Sequence, residues 1–170
     1  MIWVIGSNGM LGSEICKQLE KNKMPFIGSD KEVDITKSEC IEKFIRETES
    51  QEYLKANTTK TNINKIKWII NCAAYTAVEK AEEDQELAYQ LNSIGPKNIA
   101  NIARYNGIKL IHISTDYVFG GIGETPFTED MKKNPLGVYG KSKSEGEENI
   151  QNLMTKYYII RTAWLYGFKH

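Results

Sequence analysis

A tyrosine and a lysine four positions apart, Tyr139 and Lys143, stand in the helix-favouring segment VYGKSKSEGE. Positions i and i+4 share a helix face, so the phenol and the amine can point to one site. A free tyrosine, with a pKa of about 10, is a poor acid or base at neutral pH. A neighbouring lysine cation stabilises the phenolate and lowers that pKa, which makes general acid–base catalysis practical. The pair therefore suggests proton transfer, although tyrosine and lysine at this spacing are common in helices.

Three polar residues, Ser114, Thr115 and Asp116, close an apolar, β-rich run in the stretch HISTDYVFGG. Ligands bind at the carboxyl ends of strands in open α/β sheets, which makes these side chains candidates for a site. Thr115 can bind a substrate carbonyl or hydroxyl oxygen and orient it. We therefore predict Thr115, together with the tyrosine and the lysine, as the catalytic residues. His112 on the same run is interpreted as a packed sheet residue.

A glycine-rich stretch, GSNGMLG at residues 6–12, follows the first apolar run and opens an amphipathic one. Glycines permit a tight turn and a close approach to a pyrophosphate, which the N-terminus of the next helix also attracts. The spacing differs from the GxGxxG of ordinary dinucleotide-binding dehydrogenases, and such turns also serve simple strand–helix packing. The context, with a strand before, a helix after and an acid ending the second strand, favours a dinucleotide.

The acid at the end of the second strand is Asp30. Its carboxylate can accept both hydroxyls of the adenosine ribose, which favours NADH. The flanking Ser29 and Lys31 could instead tolerate the 2′-phosphate of NADPH, and a solvated aspartate in a turn is the alternative interpretation. The coenzyme is therefore predicted as NADPH or NADH.

Small side chains, Ala73 and Ala74, stand where the third apolar run gives way to a helix-favouring segment. The end of the third strand lies beside the coenzyme in such an architecture, so small residues leave space for ribose and pyrophosphate. Helix packing alone is the alternative explanation. Cys72 is interpreted as a small filler of the same pocket.

Apolar runs alternate with helical patterns along the chain, which predicts an α/β fold with a doubly wound parallel, Rossmann-like sheet in one domain, 1–170. Helices are expected at the face marked by Leu11, Ile15 and Leu19, at about 38–46, over 77–105 with a bend or break at Gly95-Pro96, and at about 139–153. The polar segment 47–65 is predicted as a helix end followed by a surface loop. Strands are predicted at 2–5, 25–29, 67–72, 109–114 and 157–162.

Composition argues against several classes of function. Lysine plus arginine equals aspartate plus glutamate at 22 each, without the basic block typical of nucleic-acid binding. No apolar run reaches the ~20 residues that a membrane helix needs. The three cysteines have no metal-binding or CxxC spacing, and the start of the sequence is too short for a signal peptide, so a cytoplasmic protein with reduced thiols is expected.

Several motifs spread over the whole chain give it a specific resemblance. The sequence resembles the extended short-chain dehydrogenase/reductases and, most closely, the dTDP-4-dehydrorhamnose reductase family, which reduces the 4-keto group of dTDP-4-dehydro-L-rhamnose with NADPH or NADH. The matching stretches are GSNGMLG, NCAAYTAVEKAE, LNSIGPKNIA, STDYVFGG, PLGVYGKSKSEGE and IIRTAWLYG.

The resemblance implies roles for individual residues. Thr115 and Asp116 would contact the sugar, Trp164 would line its pocket, and Asn92 would support Lys143 through water. In the implied mechanism Tyr139 protonates the alkoxide that forms as hydride reaches C4 of the sugar. The residues expected to contact the coenzyme are Gly6, Gly9, Met10, Leu11, Gly12, Asp30, Asp34, Ile35, Ala73, Ala74, Tyr75, Tyr139 and Lys143.

The sequence also departs from the family. It stops shortly after WLYG, where the family continues into much of the sugar-nucleotide pocket, and Gly120 replaces an acid that the family usually carries. One acid follows Thr115, whereas the related 4,6-dehydratases have two, which favours simple carbonyl reduction. The alternatives are a non-catalytic nucleotide-binding subunit, resembling the β subunit of methionine adenosyltransferase, or another sugar-nucleotide epimerase or dehydratase. A nucleotide sugar is the expected partner, and a homo-oligomer is left open.

Overall fold

Five short apolar strands form one parallel sheet in the computed structural model, which describes residues 1–56, 65–121 and 126–167. The strands are β1 (Ile2–Ile5), β2 (Phe26–Ser29), β3 (Trp68–Asn71), β4 (Lys109–Thr115) and β5 (Tyr157–Thr162). Each lies within a residue or two of its predicted position. The predicted α/β class with a parallel sheet is confirmed.

The strand order is β2-β1-β3-β4-β5, so the chain reverses its direction of travel across the sheet between β1 and β3. Ile5 at the end of β1 lies opposite Ser29 of β2 and Asn71 of β3. Crossovers on either side of such a point diverge and leave a crevice at the carboxyl ends of the strands. This crevice is where a ligand is expected.

Helices cover the sheet between the strands. They are α1 (Met10–Lys21), α2 (Ser38–Ala56), α3 (Gln85–Tyr89), α4 (Gly95–Tyr105) and α5 (Val138–Leu153), with short 3₁₀ turns at Lys80–Glu82 and Asp116–Val118. The second helix extends ten residues beyond the expected 46, into the polar segment whose remainder, 57–64, lies outside the described residues. Within the described parts, no helix is long and apolar enough to cross a membrane.

The predicted break at Gly95-Pro96 takes the form of a wider turn. A π turn, Gln90–Ile94, joins α3 to α4, so Pro96 falls in the first turn of α4, where the missing N–H is tolerated. A Cβ atom on Gly95 would lie 2.6 Å from the Ile35 side chain, so glycine lets the helix pack closely there. The segment before α3 is mostly non-helical, contrary to the helix expected from 77 onward.

The core lies between the sheet and its helices. Trp3 of β1 is fully buried and stacks on Phe44 of α2, with ring centroids 4.5 Å apart. Ile69 of β3 and Leu110 of β4 are also fully buried, as is Ile150 of α5. Burying such side chains contributes about 1.5–3 kcal/mol each, which holds the carboxyl ends of the strands in fixed positions.

Candidate functional site

A cavity of about 920 Å³ opens at the carboxyl ends of β1, β3 and β4. It lies at the point where the strand order reverses, as expected for this topology. Nearly all of the predicted site residues line it. They are Gly6, Gly9, Met10, Leu11, Gly12, Asp30, Asp34, Ile35, Ala73, Ala74, Thr115, Asp116, Tyr139, Lys143 and Trp164.

The glycine loop forms one wall of the cavity. Gly6 has a φ of 76°, in the left-handed region that side chains disfavour. The amides of Gly6 and Ser7 donate to the carbonyl oxygen of Ser29 at 2.8 and 2.9 Å, which ties the loop to the end of β2. No side chain caps α1 at Gly9, so the positive end of the helix is presented toward the cavity. The loop therefore fits a diphosphate.

Gly12 is the position in this loop with the least space. A Cβ atom there would overlap the carbonyl oxygen of Gly6 and lie 2.8 Å from its carbonyl carbon. A Cβ atom on Gly9 would meet the same oxygen at 3.3 Å, a contact that a shift of a few tenths of an ångström relieves. The third glycine thus sets how closely helix and loop pack.

Replacing Gly12 with alanine is expected to destabilise the fold by about 1–3 kcal/mol, because overpacked sites must move backbone to relieve the clash. Coenzyme affinity is expected to fall with it, since the loop itself must shift. Thermal unfolding and calorimetric titration with NADPH measure both effects. Gly9→Ala is the matched control for stability, and an equal loss of stability in the two variants would contradict this explanation.

Asp30 lies at the end of β2 and borders the cavity. Its Oδ2 accepts a hydrogen bond from the amide of Asn8 at 3.2 Å, which joins the acid to the glycine loop. Asp34 is oriented by its own turn: Oδ1 accepts from the hydroxyl of Thr36 at 2.6 Å, and this bond holds the pKa of the Asp34 carboxyl below its ordinary value. Asp34 can therefore accept hydrogen bonds as a carboxylate at neutral pH.

Tyr75 is a predicted coenzyme residue that does not line the cavity. Its hydroxyl donates to Asp84 at 2.8 Å, and its amide donates to the side chain of Asn92 at 2.8 Å. Ala73 and Ala74 do border the cavity, and a Cβ atom on Gly6 would lie 2.8 Å from the Ala73 nitrogen. The close approach of the glycine loop to β3 explains the small residues, while Tyr75 serves the packing of the following segment.

Asn92, which the sequence predicted to support Lys143, lies in the π turn and binds two neighbouring segments. It is fully buried, and its Nδ2 donates to the Tyr75 carbonyl and to the Ser142 hydroxyl, each at 3.1 Å. These bonds join the segment after β3 to α5. Asn92 therefore positions the helix that carries Tyr139 and Lys143.

Thr115 and Tyr139 meet at the floor of the cavity. Thr115 is buried, and its hydroxyl donates to Asp116 at 3.1 Å and accepts from the amide of Tyr117 at 3.2 Å. Burial raises the pKa of Tyr139 above its ordinary value; the hydrogen bond with Thr115 opposes this, and the charges of Asp116 and Tyr117 add to it. The lowered tyrosine pKa expected from the sequence is therefore wrong for this arrangement.

The Lys143 amine lies deep in the fold. The residue is 2% exposed, and Nζ donates to the carbonyl oxygen of Ile113 at 2.7 Å. Burial lowers the pKa of Lys143 to about 8, against the opposing charges of Glu147 and Cys72. The amine thus borders the cavity while bound to the backbone of β4.

Trp164 borders the cavity at its outer edge and is 91% exposed, with a φ of 50°. Sequence reasoning did not assign roles to several other lining residues. Thr162 ends β5 as Thr115 ends β4, so the rule that ligands bind at strand ends could have identified it. The apolar residues of the cavity have no such signal in the sequence. The unassigned residues include Ile5, Val33, Thr76, Val78, Leu91, Ile113, Tyr117, Thr162 and Leu165.

Across residues 1–56, 65–121 and 126–167, no group of three or more His, Cys, Asp or Glu side chains could hold a metal ion. The cavity combines a glycine loop with space for a diphosphate, two acidic side chains suited to sugar hydroxyls and a hydroxyl–phenol–amine set. That combination suits a dinucleotide and a polar substrate undergoing proton transfer.

Comparisons with known proteins identify relatives over nearly the whole chain. The family model described as the RmlD substrate binding domain matches residues 1–170. A dTDP-4-dehydrorhamnose reductase of Mycolicibacterium smegmatis is 33% identical over 167 residues, which cover 97% of this chain and 46% of that relative. Among relatives of this kind, the chain spans about half of the full length.

Solved structures agree with the sequence comparison. A dTDP-4-dehydrorhamnose reductase from Clostridium acetobutylicum has a TM-score of 0.83 and 45% identity, covering 99% of this chain and 55% of its own. The enzyme of the same name from Bacillus anthracis, solved in complex with NADP, has a TM-score of 0.85 and 35% identity, with the same coverage.

Proposed function

This chain belongs to the RmlD substrate binding domain family, and from that premise we propose that it binds NADPH or NADH and reduces the 4-keto group of a nucleotide-linked deoxysugar. The proposed substrate is dTDP-4-dehydro-L-rhamnose, and the product is dTDP-L-rhamnose. The reductases of this name among its relatives support that choice, and one of them was solved with NADP.

One observation carries the proposal: the glycine loop and the Thr115, Tyr139 and Lys143 side chains open onto the same cavity of about 920 Å³. Reduction of a ketone requires a hydride donor and a proton donor at adjacent atoms. A cavity shared by a diphosphate-binding loop and a polar catalytic set meets that requirement, whereas either feature alone would not.

Each residue has a proposed role in the reaction. The bound coenzyme would supply hydride to C4 of the sugar. Thr115 would turn its hydroxyl proton from Asp116 to the carbonyl oxygen, and Tyr139 donates its hydroxyl proton to that oxygen as negative charge develops on it. A tyrosine with a raised pKa holds its proton at neutral pH, which suits a general acid. Asp116 and Trp164 would contact the sugar.

The coenzyme site is proposed to consist of the glycine loop, Asp30, Asp34 and Lys143. Amides at the start of α1 would bind the diphosphate, and Asp30 would accept the ribose hydroxyls. Lys143 would hydrogen-bond the nicotinamide ribose from the floor of the cavity. Ala73 and Ala74 would leave space beside β3 for the ribose and diphosphate.

Two measurements on the same preparation test the proposal. Calorimetric titration with NADPH and with NADH measures coenzyme binding, and loss of absorbance from the reduced coenzyme in the presence of dTDP-4-dehydro-L-rhamnose measures turnover. We expect both binding and turnover. Binding without turnover would overturn the reductase assignment in favour of a nucleotide-binding subunit, and folded protein that binds neither coenzyme would overturn both.

A further inference from the structure

A chain of buried polar groups runs beneath the cavity and ends at Lys143. Asn71 of β3 and His112 of β4 are 1% and 0% exposed. The Asn71 Nδ2 lies 3.1 Å from His112 Nδ1, and His112 Nε2 lies 3.3 Å from the Lys143 Nζ. We call Asn71, His112 and Lys143 the buried polar chain. From the sequence, neither Asn71 nor His112 was assigned a part in the functional site.

The direction of the hydrogen bonds along this chain follows from a backbone amide. The N–H of Ala73 can only donate, and it points to Oδ1 of Asn71 at 3.1 Å. The other end of the Asn71 amide, its NH₂ group, must therefore face His112. An NH₂ group also only donates, so Nδ1 of His112 is an acceptor and carries no proton.

His112 is held as the neutral imidazole. Burial, and then the charge of Lys143, hold the pKa of His112 well below its ordinary value of 6.5. A neutral imidazole carries one proton, and Nδ1 is already an acceptor. The proton is therefore on Nε2, the nitrogen that faces Lys143.

The Nε2–H of His112 thus points at a nitrogen that must accept. An ammonium group has three protons and no lone pair, whereas a neutral amine has one lone pair. One Nζ proton goes to the Ile113 carbonyl in either state. With the ammonium, two donors face each other at a buried site, whereas the lone pair of the amine can accept from Nε2–H.

Other charged and titratable groups also act on the amine. Glu147 lies one turn further along α5 and favours the cation, but two hydrogen bonds already pair it with Arg161. Cys72, which follows β3, favours the cation as well, but burial raises the pKa of its thiol to about 12. At neutral pH this thiol is uncharged. Neither group supplies a close, unpaired anion.

We propose that His112 is a positioning residue for Lys143: held as the Nε2–H tautomer by Asn71, it favours the neutral amine and makes Lys143 a group that exchanges its proton instead of a permanent cation. The tautomer and the ionisation of Lys143 are properties of the folded chain. Only their effect on turnover rests on the function proposed above.

The first test uses the protein unchanged. Long-range ¹H–¹⁵N correlation spectra of ¹⁵N-histidine-labelled protein distinguish protonated from unprotonated ring nitrogens. The sequence has two histidines, so the His170→Gln variant assigns the signals. We expect Nε2–H and unprotonated Nδ1 for His112, with Lys143 ionising near 8 in a ¹³Cε titration. An Nδ1–H tautomer, or an ammonium that persists above pH ~10, the ordinary lysine range, would overturn the proposal.

The second test reverses the hydrogen bonds. In Asn71→Asp the side chain can only accept, so it should accept a hydrogen bond from Nδ1–H and leave Nε2 as an acceptor for the ammonium. We expect the Nδ1–H tautomer and a Lys143 pKa raised by roughly one unit or more. Asn106→Asp adds the same charge at an exposed position and should change neither.

The effect on catalysis has its own readout. When kcat/KM is measured against pH, one limb of the profile reflects the ionisation of Lys143. In Asn71→Asp that limb should move to higher pH, by the same amount as the pKa from the ¹³Cε titration. A merely structural role for Asn71 and His112 would lower the rate at every pH without moving the limb, and that result would overturn the proposal. Absent turnover in the unchanged protein would contradict the proposed function while the spectra still decide the tautomer.

Discussion

Tyr139→Phe is expected to lower kcat for the proposed reduction by about 10²–10⁴-fold, the range that a positioned proton donor contributes. The variant keeps the ring, which packs edge to face against Tyr117 with centroids 5.5 Å apart, and loses only the hydroxyl. Affinity for NADPH should therefore change little. Steady-state oxidation of NADPH with the sugar nucleotide, and calorimetric titration with NADPH alone, separate the two effects.

The matched control is Tyr105→Phe. Tyr105 ends α4 and is 93% exposed, so removal of its hydroxyl should leave turnover and stability unchanged. Equal turnover in Tyr139→Phe and the parent protein would remove Tyr139 from the mechanism. A loss confined to coenzyme affinity would assign Tyr139 to binding and contradict its role as proton donor.

Arg161→Met is expected to destabilise the fold by about 3–5 kcal/mol, because it leaves a buried carboxylate without its main partner. Glu147 of α5 is 0% exposed, and Arg161 of β5 binds both of its oxygens, at 2.9 and 2.7 Å. Lys133 lies 3.6 Å from the carboxylate. Denaturant unfolding at pH 7 measures the loss.

A double variant tests whether the unpaired charge of Glu147 causes this loss of stability. Arg161→Met combined with Glu147→Leu removes the stranded charge, and most of the lost stability should return. Lys43→Met breaks an exposed pair with Glu47 and should change stability little. A double variant no more stable than Arg161→Met would show that packing of the arginine, and not its charge, supports β5.

The pH dependence of this loss has a defined sign. Burial alone would raise the pKa of Glu147, but hydrogen bonds from Arg161 hold it below its ordinary value of 4.5. A carboxyl with a lowered pKa stabilises the fold above that value, and the contribution is lost as pH falls through the folded-state pKa. Without Arg161 the pKa should rise, so the difference between parent and variant should narrow in acid.

The strands and the glycine loop could be predicted from the sequence because their signals are local. An apolar run bounded by turn residues indicates a strand wherever the chain later places it. Gly12 is needed because a side chain there would meet Gly6 and Ser7 of the same loop. The position of Thr115 at the ligand-binding edge could also be anticipated, since strand ends in a parallel sheet meet at one edge.

Other features depended on contacts between distant segments. Spacing indicated that Lys143 and Tyr139 share a helix face, but not that the amine would turn to the Ile113 carbonyl, which lies thirty residues away. The same holds for Tyr75, whose hydroxyl is directed to Asp84 and away from the cavity. Rotamers at such positions are set by whichever partner packing brings within reach.

The sequence by itself determined the class of fold, the position of the glycine loop and the residue types that can transfer a proton. Only the tertiary structure decided how those groups ionise, because a pKa depends on burial and on neighbours brought together from separate strands and helices. His112 illustrates the difference. In the sequence it is one residue of an apolar strand, and in the folded chain it lies between Asn71 and Lys143.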